Sequence, residues 1–411
     1  MTLVALGRKL QERGHRFTLF ALSDLAKLAE KHGITFQELD NSPGYLPSRE
    51  TFLQDVAQTY LSYRDLLKYG LGEIALYCEQ APQAMEKAGI ECLIADQLVI
   101  PARTVAQRIN VPHISICSAV PLRTDPDVPP SSKPWPYSRG RWPRLRNRLS
   151  YGLLAMLSRP FSKKLNNYRR QWGMVPHRKI DDTFSTLAQI TQLVREFDFD
   201  FETQLPHQYY VGPFQREDYL ETDFPYERLD GRPLIYASLG TLIPSTVGVW
   251  TTIAKSCVGL DAQLVISLGG KGRIGDYSDL PGRPLVVRFA PQRELLKRVT
   301  VMIAHGGLNS VMESLSQGVP LISLHAASGD QPGIAMRIVA SGVGEVLPIG
   351  RLRTDSLRPL VKRVLTDPRY RTQAAVMREA IQKTRGSEQA AEIVELVSCR
   401  TEGARLDKVR A

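Results

Sequence analysis

Cysteine is scarce in this chain, and acid is missing from one long stretch of it. Five cysteines (Cys78, Cys92, Cys117, Cys257, Cys399) are scattered over 411 residues, with no C-x-x-C pair. An odd, dispersed set argues against a disulfide framework and for reduced thiols, hence a cytoplasmic setting. No run of 18 uninterrupted apolar residues occurs, which argues against a spanning helix. The N-terminus lacks the pattern of a secretory signal. No His, Cys, Asp or Glu cluster has metal-ligand spacing, so no metal is expected. No internal repeat is visible.

The missing acid has a sharp boundary. From Val128 to Ile180 there are 13 Lys and Arg and no Asp or Glu. The formal charge of +11 is therefore one local block, and the rest of the chain is close to neutral. Three of the four tryptophans, Trp135, Trp142 and Trp172, lie in that block. A solvated loop-helix face is one reading. Peripheral attachment to anionic lipid, on the inner face of the membrane, is another, because Trp and Arg mix with an apolar run from Leu149 to Leu157. Nucleic acid is not expected, since no nucleic-acid motif accompanies the charge.

What is present is a globular composition of 43% hydrophobic and 8% aromatic residues, enough for one or two domains. Helix and strand patterns alternate. Strands are expected at Arg16–Ala21, Ile34–Glu38, Cys92–Ala95 and His113–Cys117, with helices at 3–13, 23–32, 50–67, 72–88 and 102–109. Residues 121–143 read as loop, and 144–172 as a basic amphipathic helical stretch. A second alternation has strands at Leu234–Ser238, Gln263–Leu268, Leu285–Phe289, Val299–Ala304, Leu321–Leu324 and Gly344–Leu347. Three more helices fill 354–399. This implies an α/β protein with two doubly wound, Rossmann-like domains facing a cleft. The domains are placed at 1–212 and 233–385, joined by a Pro-rich, charged linker at 213–232, with a C-terminal helix and tail at 386–411. A βαβ unit needs a strand ahead of its first helix, and the chain begins inside that helix.

Residues 289–331 carry the chemistry. They contain Phe289-Ala290-Pro291-Gln292, then His305-Gly306-Gly307-Leu308-Asn309-Ser310-Val311-Met312-Glu313, Gly318-Val319-Pro320 and Asp330-Gln331. A strand feeding a helix through glycines aims that helix's free N–H groups at the turn, which suits a phosphate. His305 and Ser310 add donors there. Glu313, one turn on, suits two vicinal hydroxyls. The pattern suggests a diphosphate beside a ribose and a sugar.

With these motifs, and with Tyr236-Ala237-Ser238-Leu239-Gly240-Thr241 and Val211-Gly212-Pro213, the chain resembles the nucleotide-sugar-dependent glycosyltransferases of family 1. The likeness is strongest to the bacterial macrolide and carotenoid (zeaxanthin-type) glucosyltransferases. It implies the GT-B fold and inverting transfer of a sugar, glucose by expectation, from a UDP-sugar to a hydroxyl of a lipophilic molecule, without a cofactor or metal.

The resemblance also assigns roles. His305 matches the diphosphate contact, and Asn309 and Ser310 the α-phosphate contacts; both of the latter also suit helix capping. Gly307 shapes the turn. Glu313 matches the ribose carboxylate, against a plain solvated glutamate. Phe289 stands where uracil stacks, with core burial as the alternative; Ala290 and Gln292 complete the nucleoside side. Asp330 and Gln331 match the pair that grips sugar hydroxyls, although the segment Ser323–Gly329 is one residue longer than usual and His325 falls near a customary proline. Gly240 and Thr241 sit in a strand-helix turn that either touches the donor or is a bland turn. Asp96 matches the aspartate that orients the catalytic histidine. That histidine belongs to a Gly-His-x-x-Pro loop preceding the segment that matches Met1-Thr2-Leu3, and it is not in this chain. His15, His32 and His113 are read as structural. Two outcomes remain open: an active enzyme whose histidine is encoded upstream, or a donor-binding relic without catalysis.

Overall fold

The computed structural model describes residues 2–47, 62–201, 205–214, 223–240, 246–326 and 329–410, with side chains described as far as 399. Its described strands are all parallel and fall into three sheets. The C-terminal unit holds six: β7 (Leu234–Ser238), β8 (Gln263–Ser267), β9 (Leu285–Val287), β10 (Val299–Ala304), β11 (Leu321–His325) and β12 (Gly344–Pro348). Their order is β12-β11-β10-β7-β8-β9. The chain thus leaves β7 in one direction, then returns to β7's other edge with β10. That reversal is a topological switch point, where the loops beyond the strand ends part and leave a crevice. Ala304 of β10 pairs with Ser238 of β7, so the residues after each strand emerge side by side.

In the N-terminal unit, β1 (Thr18–Ala21) and β2 (Thr35–Glu38) form one pair, while β3 (Leu93–Asp96), β4 (His113–Cys117), β5 (Ala188–Thr191) and β6 (Gln208–Tyr210) form another sheet. A cleft of about 960 Å³ lies between them, lined by Arg16–Phe20 on one side and Cys92–Asp96 on the other. β1 and β3 are not hydrogen-bonded to each other across it. Helix α1 (Thr2–Glu12) leads into β1.

Most expected elements are in place, and the differences have physical causes. The expected helices 50–67 and 72–88 are one continuous helix, α3 (Tyr63–Lys87), as far as described; 50–61 lie outside the described residues. It follows the short α2 (Ala26–Lys31). Ser62 and Asp65 form a capping box at its start. Gly70 and Gly72 do not break it, because packing uses their bareness: a Cβ at Gly70 would lie 2.5 Å from Phe161, and one at Gly72 2.0 Å from the Tyr45 carbonyl oxygen. Strands β5 and β6 were not foreseen. They are only 4 and 3 residues long, and β5 (Ala-Gln-Ile-Thr) is wholly buried without alternation.

Helix α4 (Ala102–Arg108) packs beside β3 and β4. The basic stretch forms two helices, α5 (Arg141–Leu157) and α6 (Arg159–Gln171). The C-terminal unit adds α7 (Val247–Cys257), α8 (Gln292–Leu296), α9 (Leu308–Ser316), α10 (Gln331–Ala340), α11 (Thr354–Thr366) and α12 (Pro368–Gln382). The last helix, α13 (Ser387–Arg410), returns to the N-terminal unit. Its Ala390, Ala391, Ile393, Val394 and Val397 share a core with Leu6, Leu10, Ile114 and Ile116. Arg13 meets Glu388 at 2.6 Å and Glu395 at 2.7 Å across the same contact. All five cysteines are free thiols; burial pushes Cys78 and Cys257 up to about 12 and Cys92 up to about 11, so those three stay unreactive.

Candidate active site

The site follows from the switch point. His305 leaves β10 and Gly240 leaves β7 on neighbouring strands. The imidazole lies against bare backbone on both sides. A Cβ built on Gly240 would sit 2.8 Å from His305 Cε1, and one on Gly307 would sit 2.3 Å from His305 Nε2. Gly240 also has φ +68, a region that disfavours any side chain. His305 Nδ1 is buried with no hydrogen-bond partner. Burial holds its pKa below the ordinary imidazole value.

Helix α9 starts immediately after this turn. Its N-cap is Gly307, in extended conformation, with no side-chain cap. Asn309 and Ser310 occupy its first turn and do not serve as the cap. The helix therefore offers uncapped N–H groups next to His305, an arrangement that attracts an anion.

One turn further, Glu313 is part-buried, and its Oε2 accepts a 2.6 Å hydrogen bond from Gln292 Nε2. Gln292 Oε1 accepts in turn from the Tyr236 hydroxyl at 3.2 Å. The chain Tyr236–Gln292–Glu313 fixes the carboxylate and leaves its other oxygen for a ligand. Phe289 is 37% exposed and rests on Gly270, where a Cβ would come within 2.5 Å of the ring. It is therefore not a core residue. Ala290 packs on the core beneath.

Asp330 precedes α10 at its N-cap position without capping it. Burial first, and the Asp96 charge further down, raise its carboxyl above the usual value. Gln331 Oε1 accepts from the Ala326 N–H at 2.7 Å, which fixes the side chain on the loop after β11. His325 ends that strand buried, its Nδ1 2.9 Å from the Ala326 carbonyl oxygen. Thr241 lies outside the described residues.

Across the cleft, Asp96 ends β3. Its carboxylate accepts from the Ser118 hydroxyl and, at 2.8 Å, from the Leu98 N–H. No imidazole hydrogen-bonds to it among the described residues. His15 binds Glu395 at 2.9 Å, and His113 is buried in β4. Sequence reasoning missed Glu73 on α3. Burial foremost, with Asp96 adding charge, raises its carboxyl to about 7. Its interactions with Asp96, and those of Asp96 with Asp330, bring acids from both units to one place. Nothing in the sequence around Glu73 marks it; only the fold brings α3 to β3.

The two units are also joined directly. Arg337 of α10 contacts Asp198 at 2.7 Å, both side chains almost wholly buried. The Tyr210 hydroxyl donates to Asp198 at 2.8 Å, and Arg337 lies 4.3 Å above the Phe199 ring. This contact seats the helix that carries Asp330 and Gln331 against the N-terminal unit.

Comparison with known proteins identifies the family and the fold. Residues 251–396 match the model of the erythromycin biosynthesis protein CIII-like C-terminal domain. Over 402 residues the chain is 30% identical to a zeaxanthin glucosyltransferase of Pantoea ananas, covering 96% of this chain and 92% of that one. The chain belongs to the family 1 nucleotide-sugar-dependent glycosyltransferases. A zeaxanthin glucosyltransferase of Pseudescherichia vulneris is 27% identical over 96% of this chain and 94% of its own length. The calicheamicin glycosyltransferase CalG4 shares the fold, with TM-score 0.75 at 19% identity over 97% and 94% of the two chains. The architecture is thus that of the GT-B glycosyltransferases, and this family 1 member is a glycosyltransferase enzyme. In such an enzyme, donors aimed at a leaving diphosphate lower the barrier by meeting charge as it develops.

Proposed function

We propose that this glycosyltransferase moves a hexose, glucose, from a UDP-sugar to a hydroxyl of a lipophilic small molecule of the carotenoid, macrolide or lipid-alcohol kind, with inversion. The observation that carries it is the uncapped N-terminus of α9 beside His305. The names of the Pantoea and Pseudescherichia relatives support the acceptor class.

In the proposed reaction the acceptor oxygen attacks the anomeric carbon and loses its proton to a base. The bond from that carbon to the diphosphate oxygen breaks, and UDP leaves with the electron pair. The α9 N–H groups, His305 and Ser310 meet the charge on the diphosphate, so the scheme uses no metal ion. Glu313 binds the ribose, Phe289 stacks on uracil, and Asp330 and Gln331 hold the sugar hydroxyls. In this scheme Asp96 orients a histidine base that is not among the residues of this chain.

A second reading, donor binding without transfer, rests on Asp96 being held by Ser118 and Leu98 rather than by an imidazole. Incubation of the chain, and of a form extended through the in-frame codons upstream of Met1, with UDP-glucose and a hydroxylated carotenoid or long-chain alcohol, read by mass spectrometry, separates the two. A β-glucoside from either form supports transfer. UDP binding by both forms without any glucoside or free glucose supports the second reading.

A further inference from the structure

Helix α5 is turned inside out. Its buried residues are the polar Asn147 and Ser150. Asn147 donates to the Pro126 carbonyl oxygen at 3.0 Å, and the Tyr151 hydroxyl lies 3.1 and 3.2 Å from the Arg123 and Val128 carbonyl oxygens. The Arg146 guanidinium stacks on Trp135, 4.5 Å from the ring centre. Polar bonds thus hold the helix to the protein, and its apolar side faces outward. Trp142 is 81% exposed, Leu145 46%, Leu149 68%, Leu153 50% and Met156 52%. Their spacing of three and four residues places all five on one face of the helix.

The flanks of this face are cationic. Arg141 and Arg148 are exposed on α5 itself, with Arg159 at the junction to α6 and Lys163 on α6. Among the described residues no salt bridge engages these four, and no acid occurs between Val128 and Ile180 to neutralise them. An exposed apolar stripe with a tryptophan, flanked by unpaired cations, matches a helix that lies in the headgroup region of an anionic bilayer. A protein partner would need an acidic rim around an apolar centre; a bilayer supplies both across its whole surface.

We propose that the outward face of α5, with the cations of α5 and α6, is a docking surface for an anionic lipid bilayer. The surface is placed to serve the site. α6 packs on α3, through Phe161 against Gly70, and Glu73 lies one turn further along α3 beside Asp96. The loop before α5 reaches α10, where Ser131 lies so close that a Cβ at Gly333 would be 2.8 Å from its carbonyl oxygen. A hydroxylated molecule dissolved in the bilayer is thereby held at the same end of the protein as the acidic cleft. That last step rests on the proposed acceptor class; the docking surface does not.

The test is sedimentation of the full chain with vesicles of phosphatidylcholine alone, or with a third of the lipid replaced by phosphatidylglycerol. The expected result is binding to the anionic vesicles, at least tenfold stronger than to the neutral ones and weakened by added salt. Two variants, Leu149→Ser with Leu153→Ser, and Arg141→Glu with Arg148→Glu, are each expected to lose at least tenfold. All four side chains are exposed, so unchanged melting temperature and UDP affinity establish that the fold and donor site are intact. Equal binding to both vesicle types, or binding that neither variant weakens, overturns the proposal. So does concentration-dependent self-association of the wild type that the serine variant abolishes, because the stripe would then be covered by a second copy. Loss of vesicle binding with UDP binding retained leaves the glycosyltransferase reading untouched.

Discussion

Gln292 and Glu313 are joined by a 2.6 Å hydrogen bond across 21 residues of sequence. Gln292 is itself tethered to Tyr236 at the centre of the sheet. The carboxylate held this way is the one assigned to the ribose in the proposed reaction. Glu313→Ala is therefore expected to weaken UDP binding about 10- to 100-fold, in keeping with about 1.5–3 kcal/mol for hydrogen bonds to a charged group. Gln292→Leu frees the carboxylate and is expected to weaken binding less. Titration calorimetry with UDP, alongside a melting curve, measures both.

The bare backbone around His305 predicts a steric effect. Gly307→Ala puts a methyl group 2.3 Å from Nε2, and the ring must move. Transfer activity is expected to fall to near that of His305→Ala, while stability changes little because the site is at the surface of the sheet's end. Gly240→Ala adds the strain of φ +68 and is expected to cost a further 1–2 kcal/mol or so in stability. Initial rates and urea unfolding separate the two contributions.

Glu73 predicts an unusual pH dependence. Its carboxyl ordinarily titrates at 4.5 and is raised to about 7 in the folded chain. The native state therefore holds a proton that the unfolded state has released, and this contribution to stability declines as pH rises from 4.5 to 7. Glu73→Gln removes the dependence. At pH 8 the variant is expected to be more stable than the parent by on the order of 1–3 kcal/mol, and at pH 4 the two are expected to match. Urea unfolding across that range checks the sign.

The Asp198–Arg337 contact predicts an asymmetry between single and double substitutions. Arg337→Met leaves a buried carboxylate without its partner, and the expected loss is about 3–5 kcal/mol. Asp198→Asn together with Arg337→Met removes both charges and is expected to recover more than half of that loss. Because Arg337 lies on the helix that begins with Gln331, the single variant is also expected to weaken retention of the sugar relative to UDP alone.

The C-terminal unit was legible in the sequence because its signals are local. A strand, two glycines and a helix within residues 299–316 announce the local fold, and the strands Leu234–Ser238 and Val299–Ala304 have the expected bounds. What could not be read depends on distant contacts. Glu73 gains its character from β3, and Asp198 from α10. The continuity of α3 depends on Phe161 and Tyr45 lying against its glycines. The outward stripe of α5 was visible as an apolar run, but which side it faced was settled only by Asn147 and Tyr151 turning inward.

The central claim is that residues 289–331 form a nucleotide-sugar site. Titration calorimetry of UDP into the 411-residue chain, beside Glu313→Ala and His305→Ala, tests it most directly. The account predicts one site per chain, with both variants weakened at least tenfold and their melting temperatures close to the parent's. No heat of binding in the folded parent chain, or equal affinity in all three proteins, would contradict it.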